Sequence, residues 1–189
     1  MERINDLRKF IETTIHQCLV EEKTKTKLNL GVLAEEIMAY HRSPKKFTKF
    51  TISNISSDSN KQRYGYGLYF SDSIPNTQYG DYLYKVKLFK GKNYVLIDTK
   101  SPVQKSIVNK IVKALGGPNK KSDEVVEFSY NGWLFYKTIS RVLGSDKHAS
   151  TFLFNNGVDG LKSNLSRNWN DYILFGDDFI TIEDIKYAP

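Results

Sequence analysis

Apolar residues recur at helical spacing near the start of the chain, at Ile4, Leu7, Ile11, Ile15, Cys18 and Leu19, with charged residues between them. The pattern predicts an amphipathic helix over residues 4 to about 22 that packs onto its own domain. The polar stretch EEKTKTKLN reads as a linker, and the apolar residues from Gly31 to Tyr40 lead into a strand that ends near His41. Phe47 and Phe50 in KKFTKF read as core anchors of the loop after that strand. The run ISNISSDSNKQR, ending at Arg63, is rich in Ser, Asn and Asp and predicts a mobile surface loop.

Further along, GLYFS has the content of a short buried strand, YLYKVKL alternates as a half-buried strand, and NYVLID is another candidate. Val103, Ile107, Ile111 and Leu115 mark a helix ended by Gly116 and Gly117. Asn131 to Leu143 predicts a second, aromatic-rich helix. Ser145 or Asp146 can cap a third, which stops at Gly157. VDGLK, DYILF and FITIEDI predict three closing strands. Strands, then helices, then strands argue for an α+β fold rather than a regularly alternating parallel sheet. The expected organisation is an N-terminal helix and linker over 1–30 and one domain over 31–189.

Composition adds limits. The 189 residues suffice for one domain with a proper core. No apolar run approaches a membrane span, and MERINDLRKF lacks the apolar core of a signal peptide. A lone cysteine, Cys18, allows no internal disulfide and fits a reducing compartment. A cytoplasmic protein with no membrane partner is expected. Charge is uneven: Tyr40 to Lys100 holds eleven Lys/Arg against four Asp/Glu, whereas Thr151 to Pro189 holds three against six. Basic clefts attract nucleic acid, phosphorylated small molecules or acidic proteins, although single lysines commonly just solvate a face.

Candidate chemistry centres on YGYGLYFSDS, Tyr64 to Ser73, where two glycines are threaded between tyrosines. Glycine lets a ligand approach the main chain, and tyrosines offer flat faces and hydroxyls. The stretch reads as a flexible lip running into a strand. Its companion is YHRSP, with His41 at a strand end. The chain has no third glycine for a dinucleotide fingerprint and no Walker loop. His16, His41 and His148 form no pair at metal-ligand spacing, so no metal site is expected.

The succession YHRSPKKFTKF, YGYGLYFSDS, YLYKVKL, GVDGLK and NDYILF resembles the ADP-ribosyltransferase family over roughly Tyr40 to Ile182. It is most similar to the His-Tyr-acid branch that includes diphtheria toxin and the poly(ADP-ribose) polymerases. Closer still are small bacteriophage and mobile-element members, one of them an anti-CRISPR enzyme. The resemblance implies split antiparallel sheets with flanking helices, NAD as the consumed cofactor, and mono-ADP-ribosylation of a host protein or nucleic acid. It implies that His41 bonds a ribose hydroxyl, that the Tyr69 ring stacks on nicotinamide, and that Tyr79 closes that pocket. It places Asp171 at the catalytic acid. Arg42, Ser43, Arg63 and Gly67 join His41, Tyr69 and Tyr79 as implied cofactor-binding residues.

The chemistry asks for these types. Breaking the nicotinamide–ribose bond builds positive charge on the sugar, which a carboxylate stabilises, while aromatic faces and a histidine hold the reactants in place. Two positions depart from the family: Arg42 stands where glycine is usual, and the acid is Asp rather than Glu, with Asp159 in GVDG as the fallback. The Arg42 side chain then needs a partner such as a phosphate. Trp169 stands where arginine-modifying relatives carry Glu or Gln, which disfavours arginine as acceptor. Two other classes stay open. One is an inactive relative that binds nucleic acid or protein through its basic, tyrosine-lined cleft. The other is a structural or accessory phage protein anchored by the N-terminal helix.

Overall fold

The computed structural model describes residues 36–55, 64–164 and 169–189. The expected N-terminal helix and most of the expected 52–63 loop lie outside the described residues. Among the described residues, seven strands and four α-helices make a mixed α+β domain. The strands are β1 (Ile37–Ser43), β2 (Leu68–Ser71), β3 (Tyr82–Leu88), β4 (Leu96–Asp98), β5 (Gly160–Ser163), β6 (Asp171–Leu174) and β7 (Ile180–Tyr187). The helices are α1 (Lys105–Ala114), α2 (Lys120–Glu127), α3 (Gly132–Leu143) and α4 (Asp146–Asn155). The strands form one open sheet of order β4-β5-β6-β2-β1-β3-β7. Every neighbouring pair is antiparallel except β4 and β5.

Local chemistry explains the boundaries. In β3 the alternation YLYKVKL buries Tyr84, Val86 and Leu88 and exposes Lys85. The α3 helix starts where the Asn131 side chain accepts the Leu134 N–H, and it ends at Gly144 in the left-handed region. Ser145 caps α4 by accepting the His148 N–H. The α2 helix escapes the apolar pattern because it buries only Ser122 and Val125. A capping box holds it instead: the Asn119 side chain accepts from Ser122, whose hydroxyl bonds back to the Asn119 N–H.

The sheet is buried on both faces at its centre. On β6, Ile173 joins a core with Ile111, Phe135, Ile139 and Leu153 of the helices. Its neighbours Tyr172 and Leu174 join a second core with Phe70, Tyr84, Val86 and Phe50. Phe47 packs against that second core.

The expected two separate sheets are joined. The left part, β4-β5-β6-β2, meets the right part, β1-β3-β7, through a single register pair, Tyr40 opposite Ser71. By contrast β1 and β3 pair over seven residues, from Ile37–Leu88 to Ser43–Tyr82. The sheet therefore has a waist between β1 and β2.

The glycine lip leading into β2 is tied to the helices. The Tyr136 hydroxyl of α3 accepts the Tyr66 N–H at 3.1 Å and lies 3.0 Å from Ser150 Oγ of α4. Ser150 in turn donates to the Tyr66 carbonyl at 2.6 Å. Gly65, at φ +104°, presses against the same hydroxyl so closely that a Cβ would stand 2.5 Å from it. The lip expected to be flexible is thus fastened at both backbone polar groups of Tyr66. Removing the hydroxyl in Tyr136→Phe leaves the buried Tyr66 N–H without its acceptor. It should cost about 1–3 kcal/mol of stability, read as a lower urea midpoint with an unchanged m-value.

Candidate functional site

The waist opens into a cleft of about 800 Å³ whose lining includes Tyr40, His41, Tyr69, Tyr79, Trp169 and Asp171. Register explains the grouping. Asp171 stands opposite Ser71, and Tyr69 lies two residues from Ser71 on the same face of β2. The Tyr69 ring and the Asp171 carboxylate are therefore diagonal neighbours on one face of the β2–β6 ladder. Tyr40, opposite Ser71 from the other side, completes that face.

His41 sits at the point where β1 and β2 part. Its Nδ1 is 2.8 Å from the Tyr69 carbonyl oxygen. A carbonyl only accepts, so Nδ1 carries the hydrogen and Nε2 of the neutral ring is left as an acceptor. Phe50, Phe70, Tyr84 and Phe47 surround the ring, with centroids 5.1, 5.8, 6.1 and 6.2 Å away. Burial among them pushes the imidazole below its ordinary value, with the Tyr69 carbonyl opposing only in part.

The Tyr69 hydroxyl is spent within the protein. It donates to the Gly65 carbonyl at 2.7 Å and accepts the Tyr64 N–H at 2.9 Å. Burial raises its pKa well above the ordinary tyrosine value. What Tyr69 offers a ligand is its ring, held at a fixed orientation.

Tyr79 reaches the cleft from a 3₁₀ turn, Thr77–Tyr79, capped by the Asn76 side chain on the Gln78 N–H. The turn ends at Gly80, φ +129°, where a Cβ would stand 2.1 Å from the Ser43 carbonyl carbon. Only glycine lets this loop lie flat on β1. Tyr79 is 53% exposed, so its ring can cover a ligand without being part of the core.

Asp171 opens β6, and the residue before it is clamped. Asp72 Oδ1 accepts the Asn170 N–H at 2.9 Å, and Oδ2 accepts from Asn170 Nδ2 at 2.7 Å. The Asp72 N–H donates to the Asn170 carbonyl at 3.0 Å. β2 and β6 are thus locked together beside the carboxylate.

The other residues singled out from sequence take different places. Arg42 lines the cleft, but its guanidinium donates to three backbone carbonyls: Pro75 at 2.8 Å, Gly80 at 3.0 Å and Ala188 at 2.6 Å. It staples the β2–β3 loop and the end of the chain to β1, a use other than the expected phosphate. Ser43 and Gly67 line a second cleft, not this one. Gly67 is glycine because a Cβ would stand 2.7 Å from the Leu174 carbonyl oxygen. Arg63 lies outside the described residues. Asp159 is a structural carboxylate: Oδ2 accepts the Val95 N–H at 2.7 Å, joining the start of β5 to the segment before β4. Burial raises its pKa, while the Val95 N–H and Lys92 act the other way.

Asn164, at the end of β5, and Ser71 also line the first cleft. Neither carries a local sequence signal, because register across three strands brings them there. Among the described residues there is no group of three or more His, Cys, Asp or Glu able to hold a metal ion. None of their helices is long and apolar enough to cross a membrane. Comparison of the chain with protein-family models, with curated proteins and with solved structures gave no match in any of the three.

The half-buried imidazole makes stability depend on pH. Its folded pKa lies below the ordinary 6.5, so below pH 6.5 the unfolded chain binds a proton that the folded one does not. This contribution favours unfolding progressively as pH falls from 6.5 to the folded pKa, and it vanishes above 6.5. His41→Gln should flatten the stability–pH profile in that window relative to the parent. Denaturant melts between pH 5 and 8 test it, and parallel profiles would show that His41 titrates alike in both states.

Proposed function

We propose that the protein is an NAD-dependent mono-ADP-ribosyltransferase acting on a macromolecule, with an ADP-ribosyltransferase-like fold built around the β1–β2 waist. The observation that carries this reading is the convergence of His41, Tyr69, Tyr79 and Asp171 on one cleft. They come from four separate chain segments. An aromatic ring, an exposed aromatic cover, a hydrogen-bond acceptor and a carboxylate are the four groups the transfer needs.

Each residue has a role its geometry supports. NAD supplies an activated bond between nicotinamide and ribose. The immobilised Tyr69 ring offers a stacking face for the flat leaving group, and Tyr79 covers it from the β2–β3 loop. His41 Nε2 accepts a hydrogen bond from a sugar hydroxyl, since Nδ1–H is committed to Tyr69. Asp171 faces the positive charge that develops on the sugar as the bond breaks, which is stabilisation gained mainly in the transition state. The bonding electron pair leaves with nicotinamide, the acceptor atom bonds to the sugar carbon, and the acceptor's proton is released. Arg42 acts by holding the cleft wall.

Binding, labelling and turnover measurements test the reading. Millimolar NAD should raise the melting temperature, as expected of a ligand that binds only the folded state, and labelled NAD should mark a macromolecule in a cell lysate. Asp171→Asn keeps the side-chain shape and removes its charge. It should lower single-turnover transfer by about 10²–10³ while NAD affinity by calorimetry stays within a few fold. A variant that turns over like the parent would remove Asp171 from the mechanism, and a parent protein unaffected by NAD would overturn the whole reading.

A further inference from the structure

His41 and Tyr69 also line a second cleft of about 450 Å³, formed with the segment that follows β1. Its lining includes Lys45, Lys46 and Lys49, all exposed, and among the described residues that line it there is no carboxylate. Among the described residues none of the three lysines is in a salt bridge, whereas Lys87, Lys137 and Lys186 are. The nearby Asp177 carboxylate accepts the Ile52 N–H at 2.9 Å and is not among the lining groups. Three unpaired cations held within five residues of chain are repelled by one another and are relieved by an anion.

The floor between them is aromatic and rigid. The Phe47 ring stacks on Tyr84 at 4.4 Å and 14°, and Phe50 meets it edge-on at 4.8 Å. The Tyr84 hydroxyl accepts the Phe47 N–H at 2.7 Å, so the loop bearing the lysines is anchored to β3. Ser43, Thr51 and Asn54 add hydrogen-bonding groups to the wall. A flat apolar floor under a ring of point cations suits alternating bases and phosphates. An acidic peptide would match the cations but leave the aromatic floor without a flat partner.

We propose that this second cleft is a docking groove for single-stranded nucleic acid, bound through its phosphates by Lys45, Lys46 and Lys49 and through its bases by the Phe47 floor. The groove shares a wall with the first cleft, so a bound strand lies next to the candidate reaction centre. That the strand is the acceptor rests on the transferase reading; that it binds does not.

Fluorescence anisotropy with labelled twelve-nucleotide oligo-dT and oligo-U, titrated over a range of salt without NAD, tests the proposal. The parent protein should bind, with affinity falling linearly with salt on a log–log plot. The triple variant Lys45→Ala, Lys46→Ala, Lys49→Ala should bind at least about tenfold more weakly near 0.1 M salt. Its slope should be shallower by about 2, at roughly 0.7 per single-strand phosphate contact. Lys49→Gln alone should lower the slope by about 0.7. A control with the same charge loss on exposed helix positions, Lys113→Ala, Lys120→Ala, Lys121→Ala, should keep the parent slope and an affinity within about twofold. No binding by the parent at low salt overturns the proposal. So does an unchanged slope in the triple variant, or an equal loss in the control. Displacement of the oligonucleotide by polyglutamate as readily as by unlabelled oligonucleotide also overturns it, in favour of an acidic protein partner. Loss of NAD stabilisation has no bearing on these outcomes, so the groove and the transferase reading fail separately.

Discussion

Strands β1 and β2 share one register pair, Tyr40 opposite Ser71, and beyond it the His41 imidazole spans the gap to the Tyr69 carbonyl. The continuity of a seven-stranded sheet passes through that short junction. Were β1 and β2 zipped along their lengths, the backbone groups of Tyr69 and its neighbours would be consumed by the ladder and no cleft could open there. Were they fully apart, the part-buried Tyr69 carbonyl would lose its His41 partner. A neutral histidine resolves both demands, since one nitrogen satisfies the carbonyl and the other remains available. The aromatic rings around it keep the imidazole neutral.

The two cores brace this junction from opposite sides. Helices α3 and α4 grip the glycine lip through Tyr136 and Ser150, and burial pushes the Tyr136 phenol up to about 12, so it stays a neutral hydrogen-bonding group at any physiological pH. On the other face, Phe50, Phe70 and Tyr84 fix the His41 ring. A change deep in either core is thereby transmitted to the spacing of the waist, because close-packed interiors do not absorb displacement.

Much of the fold was legible along the chain and much of the site was not, for one physical reason. Elements announced by local chemistry, such as the capped α3 and α4 or the alternating β3, fall where periodicity and caps put them. The polar α2 lacks an apolar stripe and is betrayed only by its Asn119–Ser122 box. Site geometry depends on register between strands distant in sequence. Nothing near Asp171 says that it faces Ser71, and nothing near Arg42 says that its guanidinium is occupied by carbonyls of residues 75, 80 and 188. The family resemblance named His41, Tyr69, Tyr79 and Asp171 together. The second cleft was hidden because three lysines in a basic region look like ordinary solvated charge until their aromatic floor is seen.

The bond from Arg42 to the Ala188 carbonyl spans 146 residues. The wall of the first cleft is therefore closed by a contact between nearly opposite ends of the described chain. During vectorial synthesis β1 emerges before β7, and its arginine has no carbonyl at position 188 to hold until that residue has been made. Long-range closure of this kind comes late in folding. A nascent or truncated chain can thus acquire helices and much of its core while the cleft wall is still unlatched. The pocket wall is latched only once residue 188 has been made and has reached Arg42.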